Sequence, residues 1–268
     1  MDRVLYPVDG FWRRLDGSEV LKNYPLMSGG PIPIVCIICA YLYFVKVLGP
    51  KLMDSKKPYD LMWTIRMYNI FVSGFYGYLF YKASALTNYG LDYFGCKHVE
   101  GQLLAELQPI GYMYFLTKIF ELMDTVFFIL RKKNKQASNL HVFHHTLMLS
   151  IAWIYLRIQP SGGSVLFPYL NGGFHVILYA YYFLATFKGL HKYLWWKRQL
   201  TILEMAQFAL TIVHYSYQML TGCESIMMSS FGIGGSALFL FLFVNFYRYT
   251  YGSKSRPSIE AGKREYTS

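Results

Sequence analysis

"NLHVFHHTLMLSIAWIYL", residues 139–156, opens with three histidines in five positions and continues as an apolar run. On a helix, His141, His144 and His145 stand at i, i+3 and i+4, so the three rings leave from one face and can act together. Ionisable rings inside an apolar segment are costly unless they serve a purpose, so the triplet reads as a site. Interface anchors, a structural metal clip and satisfied core histidines are the plainer readings. The segment itself reads as a helix that crosses a membrane.

The rest of the chain has the same character. Of 268 residues, 54% are hydrophobic, 19% aromatic and only 15% charged, against about a quarter charged in an ordinary soluble protein. Apolar runs of spanning length fall at roughly 31–48, 60–82, 109–130, 141–160, 165–187, 200–220 and 231–250. The expected fold is therefore all-α: a polytopic membrane protein with seven transmembrane helices. Residues 1–251 form a single seven-helix domain, followed by a polar, disordered tail over 252–268. The first 30 residues carry Asp2, Arg3, Asp9, Arg13, Arg14, Asp16 and Glu19 without an apolar core, so they are not a cleavable signal peptide.

A net charge of +11 raises the question of nucleic acid, but the placement of the charges points elsewhere. Lys51, Lys56 and Lys57, then Arg131, Lys132, Lys133 and Lys135, then Lys188, Lys192, Lys197 and Arg198, and finally Lys254, Arg256, Lys263 and Arg264 mark alternate connections. By the positive-inside rule these connections and the C-terminus are cytosolic and the N-terminus lumenal, with no nucleic acid as partner. Cys36 and Cys39 lie in the first apolar run, whereas Cys96 and Cys223 fall in two far-side loops. In an oxidising lumen a Cys96–Cys223 disulfide is expected.

Polar residues recur inside the apolar runs. "KIFELMDT" places Lys118, Glu121, Asp124 and Thr125 on one helical stripe. Lys118 and Glu121 form a plausible i, i+3 ion pair, which leaves Asp124 in need of another partner. Asp124 lies about 10 Å below the cytosolic end of its helix, and His144 and His145 about 8 Å below the same level on the next, so Asp124 is expected to accept a hydrogen bond from one of those imidazoles. "NGGFHVILYAYY" sets Asn171, His175 and Tyr179 on one face, with His175 around 20 Å deep. "TILEMAQF" adds Thr201, Glu204 and Gln207, and the second run adds Arg66 and Asn69, of which Arg66 can simply snorkel. A polar centre with an apolar extension suits an amphiphile.

These motifs, in this order, resemble the ELO-type very-long-chain fatty acid elongases, the integral membrane 3-ketoacyl-CoA synthases of the endoplasmic reticulum. The resemblance rests on "KIFELMDTVFF", on "HVFHH" after a short basic loop with Gln136 and Ser138, on Asn171 and His175 with "YAYY", on "YLWWK", and on Thr201 with Gln207. The chain departs from the family's usual pattern at Glu204, where a glutamine is usual, and at Leu178, where a methionine is usual. Its C-terminal "KREYTS" is a poor dilysine signal, so residence in the endoplasmic reticulum rests on the resemblance.

The resemblance implies helices two to seven enclosing a substrate tunnel, with long-chain acyl-CoA and malonyl-CoA as substrates and no cofactor. Membrane lipids, a homodimer and the other enzymes of the elongation cycle are the partners it implies. The reaction would give CO2, CoA and a 3-ketoacyl-CoA two carbons longer. Soluble condensing enzymes use a cysteine, but every cysteine here lies in the first run or on the far side. Either a histidine replaces it, or there is no covalent step. The expected catalytic set is His144 as nucleophile, with His141, His145, His175 and Asp124. Lys118, Glu121, Asn171, Tyr179 and Gln207 support it, and Lys132, Lys133, Lys197, Arg198 and Arg248 are available for the CoA phosphates.

A di-iron desaturase or hydroxylase needs more histidines than the seven present, while a single zinc on the triplet stays open. A seven-span receptor or transporter explains the spans but not the clustered histidines and acids.

Overall fold

A Pro31-Ile32-Pro33 start, with proline in the first turn where its missing N–H costs nothing, launches the first helix. The computed structural model describes residues 21–28, 30–93, 101–158 and 165–252. Helix α1 runs Ile32–Met53. Its winding widens over Phe44–Leu48, just ahead of Gly49-Pro50, where Pro50 has no N–H to offer the Lys46 carbonyl and crowds it. There follow α2 (Met62–Leu86), α3 (Gly101–Phe120), α4 (Leu122–Leu130), α5 (Asn139–Ile158), α6 (Leu166–Leu184), α7 (Lys197–Thr221) and α8 (Ile226–Tyr251). Short 3-10 turns occupy Leu21–Asn23, Leu91–Tyr93 and Lys188–Tyr193. No strand occurs among the described residues.

The largest departure from the sequence expectation is in the third apolar run. It begins at Gly101, continues through Pro109 inside the helix, and breaks at Glu121 into α3 and α4. The Asp124 N–H reaches the Glu121 carbonyl at 3.1 Å, a tighter turn than an α-helix makes.

Four packed cores hold the rods together, one of them joining Phe174 and Tyr181 of α6 to Leu200 of α7. Tyr41 and Val45 of α1 meet Phe115, Leu122, Leu149 and Trp153 of α3, α4 and α5. Val72, Tyr76 and Leu79 of α2 meet Ile110 of α3 and Leu166 and Tyr179 of α6. Met148 of α5, Phe208 of α7, and Phe239 and Phe243 of α8 form another. Gly222, at φ 71°, ends α7 in the left-handed conformation, and the Ser225 side chain caps α8 by accepting from the Met228 N–H at 3.2 Å. The two helices then approach so closely that a Cβ on Gly232 would lie 2.5 Å from the Tyr215 ring.

The distribution of polarity is the reverse of a soluble fold. Leu220, Trp63 and Ile226 are 84%, 73% and 73% exposed, whereas Lys118, Glu121 and Asn171 are 2%, 3% and 2% exposed. An apolar exterior around a charged interior is what lipid demands. Ile32–Met53 and Ile226–Tyr251 are each long and apolar enough to cross a membrane alone; the other rods carry polar residues on their inner faces, and α4 is short. The protein is all-helical and membrane-embedded. Cys223 is disulfide-bonded and Cys36 and Cys39 are free. Cys96, its expected partner, and the tail from residue 253 lie outside the described residues.

Candidate active site

Lys118, near the end of α3, is 2% exposed and needs its charge compensated. Its Nζ donates to Glu121 Oε1 at 3.1 Å and Oε2 at 3.3 Å, and to Asn171 Oδ1 at 2.9 Å. The expected i, i+3 pair therefore exists, but it is not self-contained. The Tyr76 hydroxyl of α2 also donates to Glu121 Oε1 and accepts from Thr117 Oγ1 at 2.9 Å. The Tyr114 hydroxyl donates to Asn171 Oδ1 at 2.8 Å. The turn at Glu121 sets its carboxylate at the meeting point of α2, α3, α5 and α6.

His175 of α6 is 4% exposed. Its Nδ1 lies 2.7 Å from the Asn171 carbonyl, which can only accept, so Nδ1 carries the hydrogen. In the neutral ring Nε2 is then a bare lone pair, 3.4 Å from Lys118 Nζ and 3.5 Å from Glu121 Oε1. A neutral His175 therefore accepts hydrogen bonds at this face, and the donor role expected of it needs a second ring proton. The donor already in place is Lys118.

The histidine triplet of α5 divides. His145 is buried, with Nδ1 3.8 Å from Glu121 Oε2, beyond hydrogen-bond distance. His141 stacks on His145 at 4.3 Å and on Phe128 at 5.3 Å, and its Nε2 is buried without a partner. His144 is half-buried, edge-on to Phe239 at 5.1 Å and Phe243 at 5.5 Å of α8, and its ring nitrogens bond to none of the described residues.

Asp124 differs from expectation. Its Oδ2 accepts from the Tyr179 hydroxyl at 2.7 Å, not from an imidazole. The acid beside the imidazoles is Glu121, because the break after α3 turns Glu121 inward and α4 carries Asp124 round toward α6. Neighbouring Thr125 instead meets the Tyr41 hydroxyl of α1 at 2.7 Å. Asp124 remains in the same cluster, since the Tyr179 ring lies 6.0 Å from His175 and 6.4 Å from Tyr76.

The GNS1/SUR4 family model, ELO, matches residues 26–259, nearly the whole chain. This chain belongs to the GNS1/SUR4 (ELO) family. It is 36% identical to very long chain fatty acid elongase 7 of Drosophila melanogaster, over 97% of this chain and 82% of that one. It is 37% identical to elongase 7 of Rattus norvegicus, covering 92% and 91% of the two chains. Elongase 4 of Homo sapiens is 37% identical over 94% and 81%.

In this ELO protein Tyr76 and Tyr114, whose hydroxyls hold Glu121 and Asn171, also line an apolar pocket walled by α2, α3, α5 and α6, so two tyrosine rings stand between the charged cluster and that space. That pairing of a polar centre with an apolar pocket is the one the sequence pattern implied. Gln207 of α7 is buried with both amide atoms unpartnered. Lys133, Lys197 and Arg248 are exposed, but Lys132 donates to the Asp54 carbonyl at 3.1 Å and Arg198 to the Tyr247 hydroxyl. Arg66 clips Thr186 at 3.0 Å between Trp63 and Phe187, away from the cluster.

Among the described residues no three His, Cys, Asp or Glu side chains are placed to hold a metal ion. Tyr76, Tyr114 and Thr117 were missed by sequence reasoning. In a chain with 25 tyrosines, one more carries little signal. The only hint was that Tyr76 repeats the face of Asn69 seven residues on.

Proposed function

We propose that this ELO-family protein is a very long chain fatty acid elongase, which condenses a long-chain acyl-CoA with malonyl-CoA. One observation carries the reading. A buried cluster of Lys118, Glu121 and His175, with His145 and His144 beside it, is joined through Tyr76 and Tyr114 to an apolar pocket that those two rings line. An acyl chain would lie in the cavity with its thioester at the cluster.

In the reaction, a ring nitrogen of His144 attacks the thioester carbonyl. The C–N bond forms, the C–S bond breaks, and the ring proton leaves with CoA as the thiol. Malonyl-CoA then loses CO2, its carbon attacks the acyl-imidazole, and the imidazole departs, taking a proton from water. The net proton uptake is one, as the loss of a carboxylate as neutral CO2 requires. Lys118, the donor already in place, stabilises the developing oxyanions, the more strongly because the site is buried. Glu121 and Asn171 hold Lys118 in register, the Asn171 carbonyl fixes the His175 ring, and Asp124 acts through Tyr179 as a positioning group.

Seven membrane crossings follow if α3 and α4 are counted as one crossing with each other rod. Under the charge asymmetry of the connections, the N-terminus is lumenal and the C-terminus cytosolic. CoA docks at the cytosolic rim, where Lys133, Lys197 and Arg248 are exposed. Residence in the endoplasmic reticulum, a homodimer and contact with the other enzymes of the cycle are supported by the family resemblance alone. The Cys96–Cys223 disulfide is supported by the state of Cys223.

Purified protein given acyl-CoA and malonyl-CoA should release 3-ketoacyl-CoA two carbons longer. Intact mass after acyl-CoA alone should show an acyl adduct that His144→Ala abolishes. An unmodified wild type that still elongates favours direct transfer instead.

A further inference from the structure

The cavity is not uniformly apolar. Gln108 of α3 lines it, is 3% exposed, and has its Oε1 buried without a hydrogen-bond partner. The other polar groups on the wall are all engaged. Tyr76 and Tyr114 hold Glu121 and Asn171, Tyr169 meets Ser84 at 2.9 Å, and Tyr155 donates to the Met228 carbonyl at 3.3 Å and pairs with Tyr215. Buried amides are almost always satisfied, so one left open against an empty space points to an absent partner.

Its position says which part of a ligand would meet it. Gln108 precedes Lys118 by ten residues on one helix, about 15 Å along the axis. Ala83, Leu156 and Val165, at the C-terminal ends of α2 and α5 and the N-terminal end of α6, line the same end of the cavity. A chain whose carbonyl sits at Lys118 and the imidazoles therefore brings its tail, not its head, to Gln108. A turn about the terminal torsion of Gln108 presents either its oxygen or its nitrogen, so the amide can accept from or donate to a hydroxyl.

We infer that Gln108 is a specificity-determining residue that recognises an oxygen function, a hydroxyl, at the far end of the acyl chain. The substrate class includes ω-hydroxyacyl-CoAs. This inference rests on the elongase reading above. In a wholly apolar cavity, a tail hydroxyl would be rejected because it loses its water, on the order of tenfold or more. A site with a waiting amide removes that penalty.

The test compares ω-hydroxyacyl-CoAs with unsubstituted acyl-CoAs of matched lengths, using full-length protein, malonyl-CoA and kcat/KM. Wild type should extend the hydroxylated chain at least as well as the plain one at the length that reaches Gln108. Gln108→Leu should lower the ratio of the two by about tenfold, and Gln108→Met should do the same. Equal ratios in wild type and variants would overturn the inference while leaving the elongase reading intact. So would a wild type that rejects the hydroxylated chain, whether or not the variants fold. Failure to extend either chain with malonyl-CoA sinks the elongase reading, and this inference with it.

Discussion

Replacing Glu121 by glutamine keeps its shape and removes its charge. Lys118 would then be a buried ammonium held only by neutral groups, Asn171 Oδ1 at 2.9 Å and the new amide oxygen, with His175 Nε2 at 3.4 Å. Orphaning one member of a buried ion pair costs about 3–5 kcal/mol. Lys118→Met alone orphans the carboxylate in the same way, although Tyr76 still donates to it. The double variant removes both charges at once and leaves no ion without a partner. Its cost should therefore fall short of the sum of the singles by at least about 3 kcal/mol, the cost of orphaning one ion. Equilibrium unfolding in mixed micelles measures all four proteins, and the condensation assay follows activity. All three variants should lose activity, because the cluster acts through its charges, so stability and activity separate in the double variant. Strict additivity of the unfolding energies would refute the argument that this pair is the keystone of the site.

Tyr179→Phe removes the donor 2.7 Å from Asp124; the unfolding free energy should fall by about 1–3 kcal/mol, and an unchanged value would show that Asp124 has another donor. Gly232→Ala puts a methyl group 2.5 Å from the buried Tyr215 ring. The strain of forcing α7 and α8 apart should cost about 1–3 kcal/mol, read by the same unfolding titration. Asn171→Leu takes away the acceptor shared by Lys118 and Tyr114, and should lower kcat sharply. It should leave the His175 tautomer intact, since that ring bonds to the Asn171 backbone. Nitrogen-15 shifts of the imidazole would report that tautomer.

Much of this was legible along the chain. Apolar runs separated by basic connections predicted helices at nearly the positions observed, and Lys118, Asn171, His145 and His175 were singled out by being polar where lipid tolerates little polarity. The assignment of Asp124 to an imidazole was wrong for a specific reason. It assumed one unbroken helix through residues 109–130, whereas the turn at Glu121 resets the register between Lys118 and Asp124. Tyr76 and Gln108 were passed over because a tyrosine or a glutamine in an apolar run is ordinary until its partners, or its want of one, can be seen.

By itself, then, the sequence determined that the protein is helical and lipid-embedded, which family it joins, and which residues are too polar to face lipid. Periodicity along one helix settles which side chains share a face. The tertiary structure decided which faces meet, because the rotation of each rod about its axis is set by how large side chains such as Tyr76, Phe115 and Phe239 pack against neighbours distant in the chain. That rotation made Glu121 the hub, gave Asp124 to Tyr179, and left Gln108 facing an empty apolar space.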